Sequence, residues 1–131
     1  AAALGEGATL NGAPIRASVA NRAEGATLLA ARPMLEARHW RGAVPAFKRE
    51  HRPSLAYRLS LVAEGRFDAM LTLRKTWEWD VAAGDLILRE AGALSTDRRG
   101  KALRFNNPVP QVDGMVAAGP LLHGQIVGGL A

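Results

Sequence analysis

The stretch from Ser54 to Ala93 constrains the fold more than any other part of the chain. Leu55, Leu59, Val62 and Ala63 recur at i, i+4, i+7 and i+8, which places them on one face of a helix, and Ser54 stands where an N-cap belongs. Gly65 ends that helix. Residues 67–73 then read as a strand with Met70 and Leu71 in its buried middle, and residues 74–79 as a connecting loop. A second and stronger helix follows over 80–91, with Val81, Gly84, Ile87 and Leu88 on its packing face and Gly92 where a C′ glycine ends a helix. Helix, strand and helix in close succession require a layered α/β arrangement, because each apolar face must be covered by a neighbour.

The flanks fit that reading. Residues 5–18 predict a hairpin turning at Asn11-Gly12, the dipeptide that supplies the positive φ angles of a tight turn. Residues 26–31 read as a strand. Pro33 opens a segment over 34–42 with Leu35, Arg38 and His39 at helical spacing. Strands are expected at 93–96 and 115–118, and a last helix at 121–130.

Composition excludes several classes. With no cysteine, disulfide scaffolds, thiolate metal sites and cysteine nucleophiles drop out together, and a cytoplasmic setting fits. No uninterrupted run of about 20 apolar residues occurs, so no helical membrane span is expected. Neither a Gly-x-Ser-x-Gly elbow nor a phosphate-binding glycine loop is present. The net charge of +5 sits in one place: residues 32–58 carry seven cations against two anions, and the rest of the chain balances. Such a segment is either a solvated face or a dock for phosphates or acidic partners. It shows no stacking motif, which argues against nucleic acid.

The chemistry lies in Trp77-Glu78-Trp79-Asp80-Val81-Ala82-Ala83-Gly84. An acidic residue stands at the mouth of a helix whose first residues are small. Asp80 has two readings, an N-cap that accepts orphan N–H bonds or a hard oxygen ligand for Mg²⁺. On spacing alone the cap is the commoner. Asp85 and Glu90 are expected to face solvent, Asp68 to be structural, and His39, His51 and His123 to lie on the surface.

The stretch 77–93 resembles the C-terminal signature of the inositol monophosphatase family, Trp-Asp-x-Ala-(Ala/Gly) followed by an Ala-Gly ending, here Ala91-Gly92-Ala93. Three further segments are similar to that family in the expected order: Gly5-Glu6-Gly7-Ala8 through Asn11-Gly12 to Ile15, Leu61-Val62-Ala63-Glu64-Gly65 through Asp68-Ala69, and Val116-Ala117-Ala118-Gly119. The resemblance runs nearly the whole chain but covers about half of the family's usual length. It implies a layered αβαβα sugar-phosphatase-like fold of which this chain is the C-terminal half, a mixed sheet flanked by helices. Residues 1–25 would form a hairpin at the edge of the N-terminal half, and residues 26–131 the C-terminal α/β domain.

The resemblance also implies an activity, Mg²⁺-dependent hydrolysis of a small phosphorylated substrate, and a homodimer that binds neither membrane nor nucleic acid. Asp80 matches the family aspartate that ligates magnesium. The Asp-Pro-x-Asp-Gly-Thr motif and paired glutamates that complete the family's site do not occur here, so catalytic residues are expected in the other half. Inositol enzymes carry a Glu seven residues before the signature aspartate, where this chain has Leu73 followed by Arg74 and Lys75. Arg58 falls where the bisphosphate nucleotidase branch tends to place a basic residue. Arg58, Arg74 and Lys75 are therefore the expected substrate-binding residues, with 3′-phosphoadenosine 5′-phosphate favoured over inositol 1-phosphate. The alternatives of another class are a basic binding module and a half-domain that pairs with another chain.

Overall fold

The computed structural model describes residues 1–131. Its centre is a five-stranded mixed sheet in the order β4-β3-β5-β9-β7, made of Lys48–Glu50, Thr27–Leu29, Ala69–Thr72, Met115–Ala118 and Leu94–Thr96. β3 runs parallel to both β4 and β5, while β9 runs antiparallel to β5 and β7. A two-residue hairpin pairs β1 (Thr9–Leu10) with β2 (Ala13–Pro14), and a second short ladder pairs β6 (Thr76–Trp77) with β8 (Gln111–Val112).

Both faces of the sheet are covered. α1 (Leu55–Ala63) and α2 (Glu78–Glu90) lie on one face, where Leu59, Val62, Val81 and Leu88 meet Leu29, Met70 and Met115. α3 (Pro120–Gly129) covers the other, where Leu122 and Ile126 share a core with Leu28, Leu71, Val116 and Trp40. Adjacent residues such as Leu28 and Leu29, or Met70 and Leu71, therefore point into different cores. This is why the central strands read as continuous apolar runs rather than alternating ones.

Local chemistry explains most boundaries. Asn11 and Gly12 have φ of 51° and 81°, the left-handed pair of a tight hairpin turn. Ser54 caps α1 by accepting from the Tyr57 N–H. Gly92 ends α2 at φ 86°. Within the helix layer, a Cβ built on Gly84 would lie 2.5 Å from Leu59 Cδ1, so glycine is what lets α1 and α2 approach this closely.

Three readings of secondary structure are corrected. The segment over 34–42 is not one helix but two short 3₁₀ turns, Arg32–Leu35 and Ala37–His39, separated by Glu36 in an extended conformation. Trp40 decides this: it is buried, its indole N–H donates to Met34 O at 3.0 Å, and its backbone bridges to Leu130, which draws the chain over the end of α3. The basic segment also contains a strand, β4, whose Lys-Arg-Glu sequence carries no apolar period. As the sheet's edge it is fixed by backbone pairing to β3 alone. Finally, the 74–79 connection is partly ordered by β6, and α2 begins at Glu78 rather than Asp80.

Polar groups tie the periphery to this scaffold. Asp68 is structural as expected, accepting from Ser18 Oγ, Thr27 N and Thr27 Oγ1 at 2.5–3.0 Å. Burial opposes its ionisation, but these bonds hold the carboxyl below the usual range on balance. His123 is not on the surface: it is buried against Thr96 Oγ1 at 2.8 Å, and burial pushes its pKa down.

Candidate functional site

The site is built at the N-terminal end of α2. β6 carries the chain from the end of β5 to Trp77, which is the N-cap in extended conformation and offers no side-chain cap bond. Glu78, Trp79 and Asp80 form the first turn. Asp80 is therefore the third helical residue and not the cap that the spacing favoured. Its side chain is exposed and takes part in no hydrogen bond or ion pair within this chain. It stands at the helix end where the orphan N–H groups of the first turn carry partial positive charge. Ala82 and Ala83, both exposed, leave space beside it.

Glu78, two residues earlier, behaves in the opposite way. It is buried and accepts from Asn106 N at 2.8 Å, Asn107 N at 3.0 Å and Asn107 Nδ2 at 2.5 Å. Burial raises its pKa, but the three N–H donors outweigh that and hold the carboxyl below its ordinary range. Asn106 reaches this position with φ 65°. Next to the clamp, the rings of Trp77 and Trp79 stack with centroids 4.7 Å apart and planes 7° from parallel, both largely exposed.

The expected cations lie on elements that adjoin this turn in sequence or packing. Arg74 and Lys75 are exposed at the end of β5, without ion-pair partners, and β6 leads from them to the Asp80 turn. Arg58 is half-buried on α1 beside Leu59, the residue packed on Gly84 one turn along α2 from Asp80. Its Nε is buried without a partner, and burial lowers its pKa. Leu73 joins the core beneath α3 and is buried. No group of three or more His, Asp or Glu side chains in this chain could hold a metal ion.

An open cleft of about 440 Å³ runs beside the turn, lined by Glu78, Trp79, Ala82, Phe105, Asn106, Asn107 and Pro110. A larger depression of about 920 Å³ lies among Asp97, Lys101, Arg104 and Asp113 and includes neither Asp80 nor any of the expected cations.

Several of these groups escaped the sequence reading. Asp85 does not face solvent: it is buried, accepts from Ser95 Oγ and pairs with Arg89 at 3.2 Å. Glu90 accepts the Gly5 and Gly7 N–H groups at 3.1 and 2.8 Å, which fastens residues 5–7 to the end of α2. The signal for Glu78 and Asp85 was present, since 78, 81, 85 and 88 form one helical stripe with the buried Val81 and Leu88.

A model of the inositol monophosphatase family matches residues 1–130. The chain belongs to the inositol monophosphatase family. Among curated relatives, the inositol-1-monophosphatase of Rhizobium meliloti is 45% identical over 67 residues, which is 51% of this chain and 24% of that protein. The bifunctional NADP phosphatase/NAD kinase of Methanococcus maripaludis is 32% identical over 76 residues, 57% of this chain and 13% of that protein. The crystal structure of inositol monophosphatase II from Staphylococcus aureus superposes with a TM-score of 0.79 at 19% identity, covering 97% of this chain and 48% of that one. The chain thus spans about half the length of its structural relatives, and the matched segments cover a quarter or less of these two curated ones. The family's fold accounts for the mixed sheet and its flanking helices. No helix in the chain is long and apolar enough to cross a membrane.

Proposed function

We propose that this chain is the C-terminal half of a Mg²⁺-dependent phosphomonoesterase, with Asp80 as one ligand of the metal. One observation carries the reading. Three of the four carboxylates of α2 are committed to protein partners, whereas Asp80 is exposed and free at the end of the helix that favours an anion. An exposed and unpartnered carboxylate suits a hard cation. Magnesium, once bound, would neutralise charge on the phosphate and activate water. The remaining ligands must come from outside these residues, so the isolated 131 residues are expected to have no meaningful turnover.

For substrate we favour a bisphosphorylated nucleotide such as 3′-phosphoadenosine 5′-phosphate. Leu73, buried in the core, offers no carboxylate to a polyol, while Arg74 and Lys75 are free and Arg58 has an unpaired Nε. A relative named for NADP phosphatase activity is compatible with a nucleotide ligand. The second reading is inositol 1-phosphate, favoured by the higher identity to a protein named inositol-1-monophosphatase. We further propose a cytoplasmic homodimer, with residues 1–25 bordering the other half.

The test is phosphate release from both substrates by the longest form of the protein. We expect a higher kcat/KM on the nucleotide and a loss of about tenfold or more with Arg74→Ala plus Lys75→Ala, the scale of removing charge-assisted phosphate contacts. Preference for inositol 1-phosphate would overturn the substrate assignment.

A further inference from the structure

We propose that Glu78 is a positioning residue that holds the 104–110 loop on the first turn of α2, shaping the cleft beside Asp80 into a site for a flat heteroaromatic ring carried by the substrate. The proposal rests on the phosphomonoesterase reading above and names the part of the substrate that the reading leaves open.

The loop has little else to hold it. Asn106 to Val109 are exposed, and only Phe105 of its central residues packs against the core. What fastens it is polar and converges on one carboxylate. Both Glu78 oxygens are occupied, by the N–H groups of Asn106 and Asn107 and by Asn107 Nδ2, which also donates to Arg104 O at 2.6 Å. Glu78 N donates in turn to Pro110 O at 2.9 Å, and the β6–β8 ladder continues the attachment through Gln111 and Val112. A single side chain, 8% exposed, thereby holds the middle of a loop that otherwise reaches the core only through Phe105 and is paired only at its end.

The consequence is a wall. With the loop held down, Phe105 and Asn106 join Trp79 and Ala82 in lining the cleft of about 440 Å³, a size typical of small-molecule sites. Positions 79 and 82 lie next to 80 and 83 around the same helical turns. A ligand whose phosphate sits at the Asp80 end can therefore extend its remaining part into this cleft. The lining includes two aromatic rings, Ala82 and Pro110, together with the amides of Asn106 and Asn107. Such a lining suits a planar ring with a hydrogen-bonding edge better than a polyol, which would leave hydroxyl groups against apolar surface.

Glu78→Gln tests this in the longest form of the protein. Gln keeps one acceptor but turns an N–H₂ toward donors, which loosens the loop without removing bulk. Kinetics are compared for 3′-phosphoadenosine 5′-phosphate and for methyl phosphate, which has no ring. We expect KM for the nucleotide to rise about tenfold while its kcat falls less than threefold, and KM for methyl phosphate to move less than threefold, the pattern of lost substrate binding rather than lost transition-state contact. Equal losses on both substrates, a fall confined to kcat, or no change would overturn the proposal. If Glu78→Gln does not fold, Asn107→Ala removes only the side-chain bonds and is held to the same criterion with a rise of about threefold. If the unaltered protein releases phosphate from neither compound, the phosphomonoesterase reading fails. The cleft is then judged by calorimetric titration with adenosine: weaker binding by the variant upholds it, while equal binding or none overturns it.

Discussion

The two ends of α2 use the same chemical group for different purposes. At the C-terminal end, Asp85 reaches Ser95 on β7 and Glu90 gathers the N–H groups of residues 5 and 7. At the N-terminal end, Glu78 is equally committed, yet Asp80, two residues on, has no partner at all. The helix wheel explains the division. Positions 78 and 85 lie on the buried stripe with Val81 and Leu88, where an unpaired charge would be costly, and 80 lies off it. On the buried stripe a carboxylate must therefore find partners, as Glu78 and Asp85 do, whereas Asp80, off the stripe at the same helix end as Glu78, is left available.

Asp80→Asn breaks the comparison most directly. In the full-length enzyme we expect kcat/KM and Mg²⁺ affinity to fall by about 100-fold or more, since a metal ligand is lost, while the melting temperature shifts little because nothing in the fold leans on that side chain. Activity that survives would make Asp80 a helix-end charge and nothing more. Asp85→Ala should do the reverse. Loss of a buried acceptor that leaves Ser95 unpaired is expected to cost about 1–3 kcal/mol in denaturant unfolding, with activity per folded molecule retained.

Gly84→Ala probes the point where the two ends meet the helix layer. The added methyl would press on the fully buried Leu59, and we expect about 1–3 kcal/mol of destabilisation from overpacking. The smallest effect is expected from Glu90→Gln, read as faster hydrogen exchange at the Gly5 and Gly7 amides with little change in global stability.

Acid sharpens the same contrast. The carboxyls of Glu90, held low by the Gly5 and Gly7 amides, of Glu78, where three N–H bonds outweigh burial, and of Asp68, where bonds from Ser18 and Thr27 do so, all titrate below their ordinary values in the fold. Their stabilisation is present above the unfolded pKa and is lost as pH falls through the lower folded pKa, so acid unfolding should set in below about pH 4. His123 adds an earlier step of the same sign. Burial depresses its pKa, so the unfolded chain binds its proton first, and stability declines as pH drops below about 6.5. Unfolding curves between pH 3 and 8, with His123→Gln for the upper step, check both.

The sequence reveals the parts of the fold that obey a period. β9 occurs over the expected residues 115–118, and α1 lies within one residue at each end of the stretch from Ser54 to Glu64. The helical reading of 34–42 failed because the anchoring of Trp40 on the end of α3 is a contact across some ninety residues that no local spacing encodes. β4 was missed for a related reason. An edge strand needs backbone pairing but no buried side-chain face, so Lys48-Arg49-Glu50 leaves no hydrophobic trace. At the candidate site, a motif singled out Asp80 as a candidate, whereas the Glu78 clamp depends on a loop 28 residues away turning back through Asn106.

The stacked indoles of Trp77 and Trp79 have an optical consequence. Two identical chromophores held 4.7 Å apart couple their excited states, and a twist between their transition dipoles within the stack gives bands of opposite circular-dichroic sign. The third tryptophan, Trp40, packs against Phe47 in the other core and lies outside this couple. The protein thus carries its own ruler at the mouth of α2. Any event that slides one ring over the other, including a ligand seated against Trp79, should register as a change in that couplet without a label being added.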